Sequence, residues 1–303
     1  METRRIALKV DVDTLRGTLE GVPRLAALMR GVQAGGSFYF SLGPDHTGRA
    51  LKRVFRRGFL GKVRRTSVVE HYGIRTLLYG TLLPGPRIDR RGGAAMRAVR
   101  DAGFEVGVHC HDHVRWQDGV AQADAAWTRR EFVRALEAFQ GVFGTASRSH
   151  AAAGWQLNAQ VLTLEREFAL EYASDTRGSG PFWPTMGTVQ GQCVQLPTTL
   201  PTFDELIGVD GRDAQGAALE ILRLSRAGAT DTHVFTLHAE LEGQKLYPQF
   251  EYLLRRWREA GLELTSMHDY HEQAKRSVIA RHELVFGQVE GRSGTLAAQG
   301  ALQ

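Results

Sequence analysis

The sequence predicts an α/β domain built on a parallel sheet, either open or closed into a barrel. Short apolar runs alternate with amphipathic helical stretches along most of the chain. At 303 residues and 43% apolar composition, the chain is long enough to bury one large core. Asp and His residues stand at the carboxyl ends of several apolar runs, where parallel α/β sheets gather their chemistry.

Residues 6–12 read as the first strand. A helix follows over 21–30, with Pro23 in its first turn, where a missing amide hydrogen costs nothing. Residues 37–42 read as a second strand, ended by Gly43 and Pro44. A helix over 94–102 leads into a strand over 104–109. The clearest helix spans 124–139, with Trp127, Phe132, Leu136 and Phe139 near helical spacing. Beyond it, 157–168 reads as helix, 170–174 as extended, 214–225 as helix, 232–238 as strand, 250–260 as helix and 262–266 as a last strand. The uncharged stretch 178–203, rich in Gly, Pro, Thr and Gln, reads as a loop. From about residue 276 periodicity is lost, so 276–303 is expected to be a flexible extension of a domain spanning 1–275.

Composition excludes several classes. Charged residues make up 23% of the chain, against wholesale disorder. The net charge of +5 favours an anionic partner. Two cysteines, Cys110 and Cys193, make no disulfide framework and suit a reducing compartment. The start METRRIALKVDVD lacks a signal-peptide pattern, and no run of about 18 apolar residues predicts a spanning helix.

The first strand ends Val10-Asp11-Val12-Asp13, and strand period two puts both carboxylates on one face. Two adjacent carboxylates repel unless a cation sits between them; the alternative is an Asx turn that closes the strand. Strand 104–109 ends in His109 and runs on through Cys110-His111-Asp112-His113. Histidines four apart share one face of a helical turn and can grip one ion. His111 is a rival ligand only if the strand continues, and otherwise supports the site from behind. His238 ends strand 232–238 on the Val234/Thr236 face, and Asp175 ends 170–174 in the same way, either as a site carboxylate or as a turn residue. An Asp with two His residues leaves an open divalent site, able to polarise a carbonyl and acidify a water. Amide hydrolysis further needs a carboxylate base and an acid for the departing amine, roles that Asp11 and His238 can fill.

A basic amphipathic insertion occupies about 49–85. Its core, RALKRVFRRGFLGKVRR, interleaves cations with Val54, Phe55, Phe59 and Leu60. The composition suits an anionic membrane surface, with Arg53, Phe55, Arg56, Arg57, Phe59 and Leu60 as contacts, and the rest of the chain shows no nucleic-acid module. The plain alternative is a solvated helix packed on the domain.

With these residues in view, the chain resembles the polysaccharide deacetylase superfamily of NodB-homology fold, through Asp11/Asp13, His109-x-x-x-His113 and Leu237-His238. It resembles most the branch that deformylates 4-deoxy-4-formamido-L-arabinose-phosphoundecaprenol in lipid A modification. The matching stretches are DVDTLRGTLEGVPRL, FSLGPDHTGR, EVGVHCHDHVRWQ, AAAGW, SDTRG, LPTTLPTFDELIG and LHAELEG. The resemblance implies a distorted (β/α)7 barrel and a divalent metal (Zn, Mn or Co) on Asp13, His109 and His113, with Asp11 as base and His238 as acid. It implies hydrolysis of an N-formyl group on an undecaprenyl-phosphate-linked sugar, giving formate, at the cytoplasmic face of the inner membrane and in a polymyxin-resistance pathway. Deacetylation of another N-acetylated glycan is the alternative. Asp175, Arg177, His111, Asp204, Ala152 and Gly154 are the expected substrate or supporting contacts. The wider family orients its base with an Arg from an Arg-x-Pro-aromatic motif, whereas this chain reads His150-Ala151-Ala152-Ala153-Gly154 at that place. Arg177, or else Arg148, is expected to supply the cation.

Overall fold

The computed structural model describes residues 4–50, 73–227 and 231–303. In chain order the elements are β1 (Arg5–Val12), α1 (Val22–Gly31), β2 (Ser37–Ser41), α2 (Ile74–Leu78), α3 (Ile88–Asp101), β3 (Glu105–Cys110), α4 (His113–Gly119), α5 (Ala125–Phe143), β4 (Ser149–His150), α6 (Ala159–Glu167), β5 (Tyr172–Ala173), β6 (Trp183–Met186), β7 (Val189–Gln190), β8 (Val194–Gln195), α7 (Phe203–Leu206), α8 (Ala214–Leu224), β9 (Thr232–His238), α9 (Tyr247–Glu259), β10 (Glu263–Thr265), α10 (Met267–Ala274), β11 (Arg281–Gly287) and β12 (Leu296–Leu302). One π-helical turn, Gly17–Gly21, precedes α1.

The main sheet is parallel and curled, in the order β9-β1-β2-β3-β4-β5-β8. Strand β9 fills one edge of β1 from Arg5 to Asp11. The other edge is shared, with β10 beside Arg5–Ala7 and β2 beside Lys9–Val12. Past β8 the chain reaches β9: the Thr199 and Leu200 amides both donate to the Val234 carbonyl, and Thr198 Oγ1 lies 2.7 Å from Thr236 Oγ1. These few bonds bring the seven strands round into the distorted (β/α)7 barrel.

Strand alternation sorts the first strand. Ile6, Leu8, Val10 and Val12 join the core beneath the helices, with Phe38, Phe40, Phe139, Phe235 and Trp257. Ala7 faces the lumen with Tyr39, Ala151, Tyr172, Val194, Leu196 and Val234. Lys9 and Asp11 share that inward face. The lower end of the lumen is closed by Glu105, which accepts from Ser37, Tyr172 and the His268 amide at the start of α10.

Two expectations need correcting. The tail expected to lack regular structure holds β11 and β12, an antiparallel pair extended by β6 and β7 into a second sheet. Only Leu284, Leu296 and Ala297 of that hairpin are buried hydrophobics, too few to leave a periodic trace. The stretch read as a loop over 178–203 contains β6, β7 and β8, of two to four residues each. The six proposed membrane-contact residues from Arg53 to Leu60 lie outside the described residues. Among the described residues no helix is long and apolar enough to cross a membrane. Cys110 and Cys193 are both buried and free.

Candidate active site

Three strand ends meet at the upper mouth of the barrel. Asp11 and Asp13 leave β1, His109 stands near the end of β3, and His238 ends β9 directly beside Asp11 in the register. His113 arrives by a different route from the one the spacing suggests. It is the first residue of α4, not a partner of His109 on one helical turn. The chain bends sharply after Cys110, and the Asp112 side chain caps α4 by accepting from the Arg115 amide at 3.1 Å. That bend brings the two imidazoles into a stack with centroids 5.4 Å apart.

Asp13 sits between them. Its Oδ1 lies 3.2 Å from His109 Nε2, and its Oδ2 lies 3.4 Å from His113 Nε2. Ligand atoms bound tetrahedrally at about 2.1 Å from one ion stand about 3.4 Å apart. His109 Nδ1 donates to the Ala151 carbonyl at 2.6 Å, which fixes the tautomer and leaves Nε2 as the coordinating atom. Asp13 Oδ1 is buried with no hydrogen-bond donor among the described residues, an orphan that a cation would satisfy. Burial alone would raise the Asp13 carboxyl; His113 and His109 overcome that and hold it well below the usual carboxylate range. The residues fit a divalent ion. Two other groups of ligand-type side chains occur among the described residues. His150, Glu165 and Asp175 are wholly enclosed, and the group around Glu171 and His268 lies at the amino-terminal end of the strands, away from this mouth.

The turn after β1 is held by the loop that follows its neighbour β9. Glu240 Oε1 accepts from the Asp13 amide at 3.0 Å, and from the Thr14 amide and hydroxyl at 2.8 Å each. Gly21 lets this contact close: a Cβ there would fall 2.0 Å from the Ala239 carbonyl oxygen. Glu242 Oε2 accepts from the His238 amide at 2.7 Å, while His238 Nδ1 is buried without a hydrogen-bond partner among the described residues. Burial pushes Glu242 up to about 8, against the His238 amide that favours its ionised form.

The cation beside Asp11 is neither of the expected arginines. Arg148 is exposed and forks onto Glu171. Arg177 binds Glu205 Oε1 at 2.8 Å and the Leu200 carbonyl at 3.0 Å. Lys9, on the same strand face as Asp11, puts its Nζ 3.4 Å from Asp11 Oδ2. It also donates to the Ser174 carbonyl at 3.0 Å and lies 5.2 Å from the centre of the Trp155 ring. Its signal in the sequence was a lone lysine inside an apolar strand, two positions before the first aspartate.

The remaining candidates separate. Asp175 is enclosed; it accepts from the Ala152 amide at 2.6 Å and lies 3.0 Å from His150 Nδ1, so it braces the 150–153 segment from behind. Gly154 adopts φ +64°, and a Cβ there would strike the Gln117 side chain. His111 turns away from the triad into a groove of about 630 Å³ shared with Arg87, Arg90, Arg97 and Arg134. Burial, then Arg87 and Arg134, lower its pKa to about 4. Asp204 lies at the rim, where Arg292 reaches its Oδ1 at 3.2 Å and Glu205 Oε1 at 2.8 Å. Arg292 comes from the connection between β11 and β12, and its guanidinium stands 4.5 Å from the centre of Trp155. The last stretch of chain therefore walls the site, a role for which 276–303 carries no motif.

No family model matches the chain. A curated relative from Shewanella sediminis (strain HAW-EB3), named a probable 4-deoxy-4-formamido-L-arabinose-phosphoundecaprenol deformylase ArnD, is 33% identical over 300 residues, 98% of this chain and 95% of that protein. The chain belongs to this deformylase family. A second member, of the same name, from Wigglesworthia glossinidia brevipalpis, is 29% identical over 286 residues, 93% of this chain and 98% of its own length. Among solved structures, a Mycobacterium smegmatis protein described as a polysaccharide deacetylase superposes with a TM-score of 0.63 at 17% identity, covering 95% of this chain and 96% of that one. The likeness shows the fold: a NodB-type polysaccharide deacetylase barrel. As a member of the deformylase family, the protein is a hydrolase of amide C–N bonds.

Proposed function

We propose that the protein is a divalent-metal-dependent deformylase acting on a formamido sugar carried by a polyprenyl phosphate. The observation that carries the reading is the Asp13–His109–His113 cluster, with ligand atoms 3.2 and 3.4 Å apart and two proton-transfer groups, Asp11 and His238, on neighbouring strands beside it. The relatives' names supply the substrate, a 4-formamido-arabinose on phosphoundecaprenol.

A bound divalent ion would supply Lewis acidity to the formyl carbonyl and make a water at the site more acidic. Asp11 takes the proton of the attacking water through Oδ1, the oxygen that Lys9 leaves open. His238 gives a proton to the sugar nitrogen as the C–N bond breaks, so the products are formate and a free amine. On this reading Asp204 and Arg177, beside Arg292, meet the sugar. A long polyprenyl tail stays in the bilayer that dissolves it, which suits work at the cytoplasmic face of the inner membrane. The basic run within 49–65 and the exposed Ile74 and Leu82 support contact with an anionic bilayer.

The test is formate release from the lipid-linked formamido sugar, with and without a chelator, on wild type and Asp11→Asn. Asp11→Asn should retain its metal and lose about 10²–10⁴-fold in kcat. Acetate release from an acetamido analogue at a rate matching or exceeding formate release would overturn the substrate assignment.

A further inference from the structure

We propose that Lys9 is the positioning residue for the base, taking over from within β1 the task that the wider family gives to an arginine on another strand. The inference rests on the assignment of Asp11 as base.

Lys9 is fully buried on the lumen face of a central strand; burial lowers its pKa, and the charges of Asp11 and Asp175 work against that. A buried cation is tolerated only with partners, and a chain that needed filler here would carry a branched apolar side chain, like the residues that surround it. An ammonium has three N–H donors, and Lys9 has three recipients: Asp11 Oδ2, the Ser174 carbonyl and the face of Trp155. The last two fix the ammonium in place from β5 and from the wall, so the first fixes Asp11. The division of Asp11's two oxygens is the decisive geometry. Oδ2 faces the lysine, whereas Oδ1, equally buried, has no hydrogen-bond partner among the described residues and lies 4.0 Å from Nδ1 of His109, so it is the oxygen left to take a proton. Lys9 thus occupies one oxygen and presents the other to the reacting water. Residues 151–153 are all buried alanines, so that segment supplies no cation to Asp11.

The variants are Lys9→Met, nearly isosteric and uncharged, and Lys9→Met combined with Asp11→Asn. Single-turnover formate release, KM, metal content and melting temperature are measured for each beside wild type. Lys9→Met is expected to keep its metal and its KM within about threefold, while kcat falls about 10²–10³-fold. In the Asp11→Asn background the same change should cost less than about threefold more, because a residue acting through Asp11 has nothing further to lose. A structural role would instead multiply the two losses, and that result overturns the proposal, as does a Lys9→Met kcat within about threefold of wild type. Should Lys9→Met fail to fold, Lys9→Arg decides: a folded, metal-loaded enzyme keeping at least about a tenth of kcat supports the role, and one as slow as Asp11→Asn ends it. Wild-type activity in Asp11→Asn alone would show that the base assignment had failed; an inactive Asp11→Asn with an active Lys9→Met confines the failure to Lys9.

Discussion

Replacing Glu242 with Gln should change stability by an amount that rises with pH, and the slope can be worked out beforehand. Glu242 is wholly buried, with Oε2 on the His238 amide and Oε1 without a hydrogen-bond partner among the described residues. Burial raises its pKa from 4.5 to about 8, with smaller help from the charges of Asp204 and Asp11. A raised acid favours folding while it is protonated in both states, below 4.5, and that advantage drains away as pH climbs towards 8. Each pH unit in the window costs about 1.4 kcal/mol, hence roughly 3 kcal/mol by pH 7 and roughly 5 kcal/mol in the alkaline limit. The glutamine carries no charge and keeps an oxygen for the His238 amide. Its NH2 finds no acceptor at the Oε1 position, a constant penalty of about 1–3 kcal/mol. Urea unfolding of both proteins from pH 5 to 9, metal-free and metal-loaded, should show the variant gaining on wild type by about 1.4 kcal/mol per pH unit up to about pH 8, then levelling. A difference that is flat across this range would refute the reasoning, because it would mean that Glu242 titrates alike in the folded and unfolded chain.

Two further outcomes follow from the site. His113→Ala removes one of three ligands and should weaken metal binding at least about tenfold in a chelator competition; undiminished binding would return His111 to contention. Gly291→Ala tests the wall: Gly291 has φ +79°, and a Cβ there would fall 1.9 Å from the Glu205 carbonyl oxygen. The substitution should cost at least about 2 kcal/mol in urea unfolding and raise KM more than it lowers kcat, by lifting Arg292 off Glu205.

What the sequence made legible follows from burial and period. Asp11, Asp13 and His238 could be placed because β1 and β9 are long enough to alternate cleanly, with Val10 and Val12 committed to the helix side. β4, β5 and β8 have two residues each; β5 still shows as the extended run over 170–174, whereas β4 and β8 leave no pattern. Arg177 does not reach Asp11 for a physical reason. Arg177 does approach the site, but Glu205, fixed by its capping box with Thr202, claims it first. In the sequence, a lysine flanked by Leu8 and Val10 resembles a solvent-facing position on an edge strand; only the barrel's closure makes that face an interior.

The shared edge of β1 bears on how the protein is made. Everything that would grip the ion, Asp13, His109 and His113, leaves the ribosome in the first part of synthesis, whereas His238 and Arg292 follow seconds later at about 5–20 residues per second. Yet β1 cannot bury both flanks until β9 and β10 exist, because they cover one edge entirely and part of the other. The early half of the site is thus held on a strand whose pairing waits for the late half. A nascent chain paused between them exposes β1 as an open template, and prompt completion of translation is itself a safeguard against mispairing.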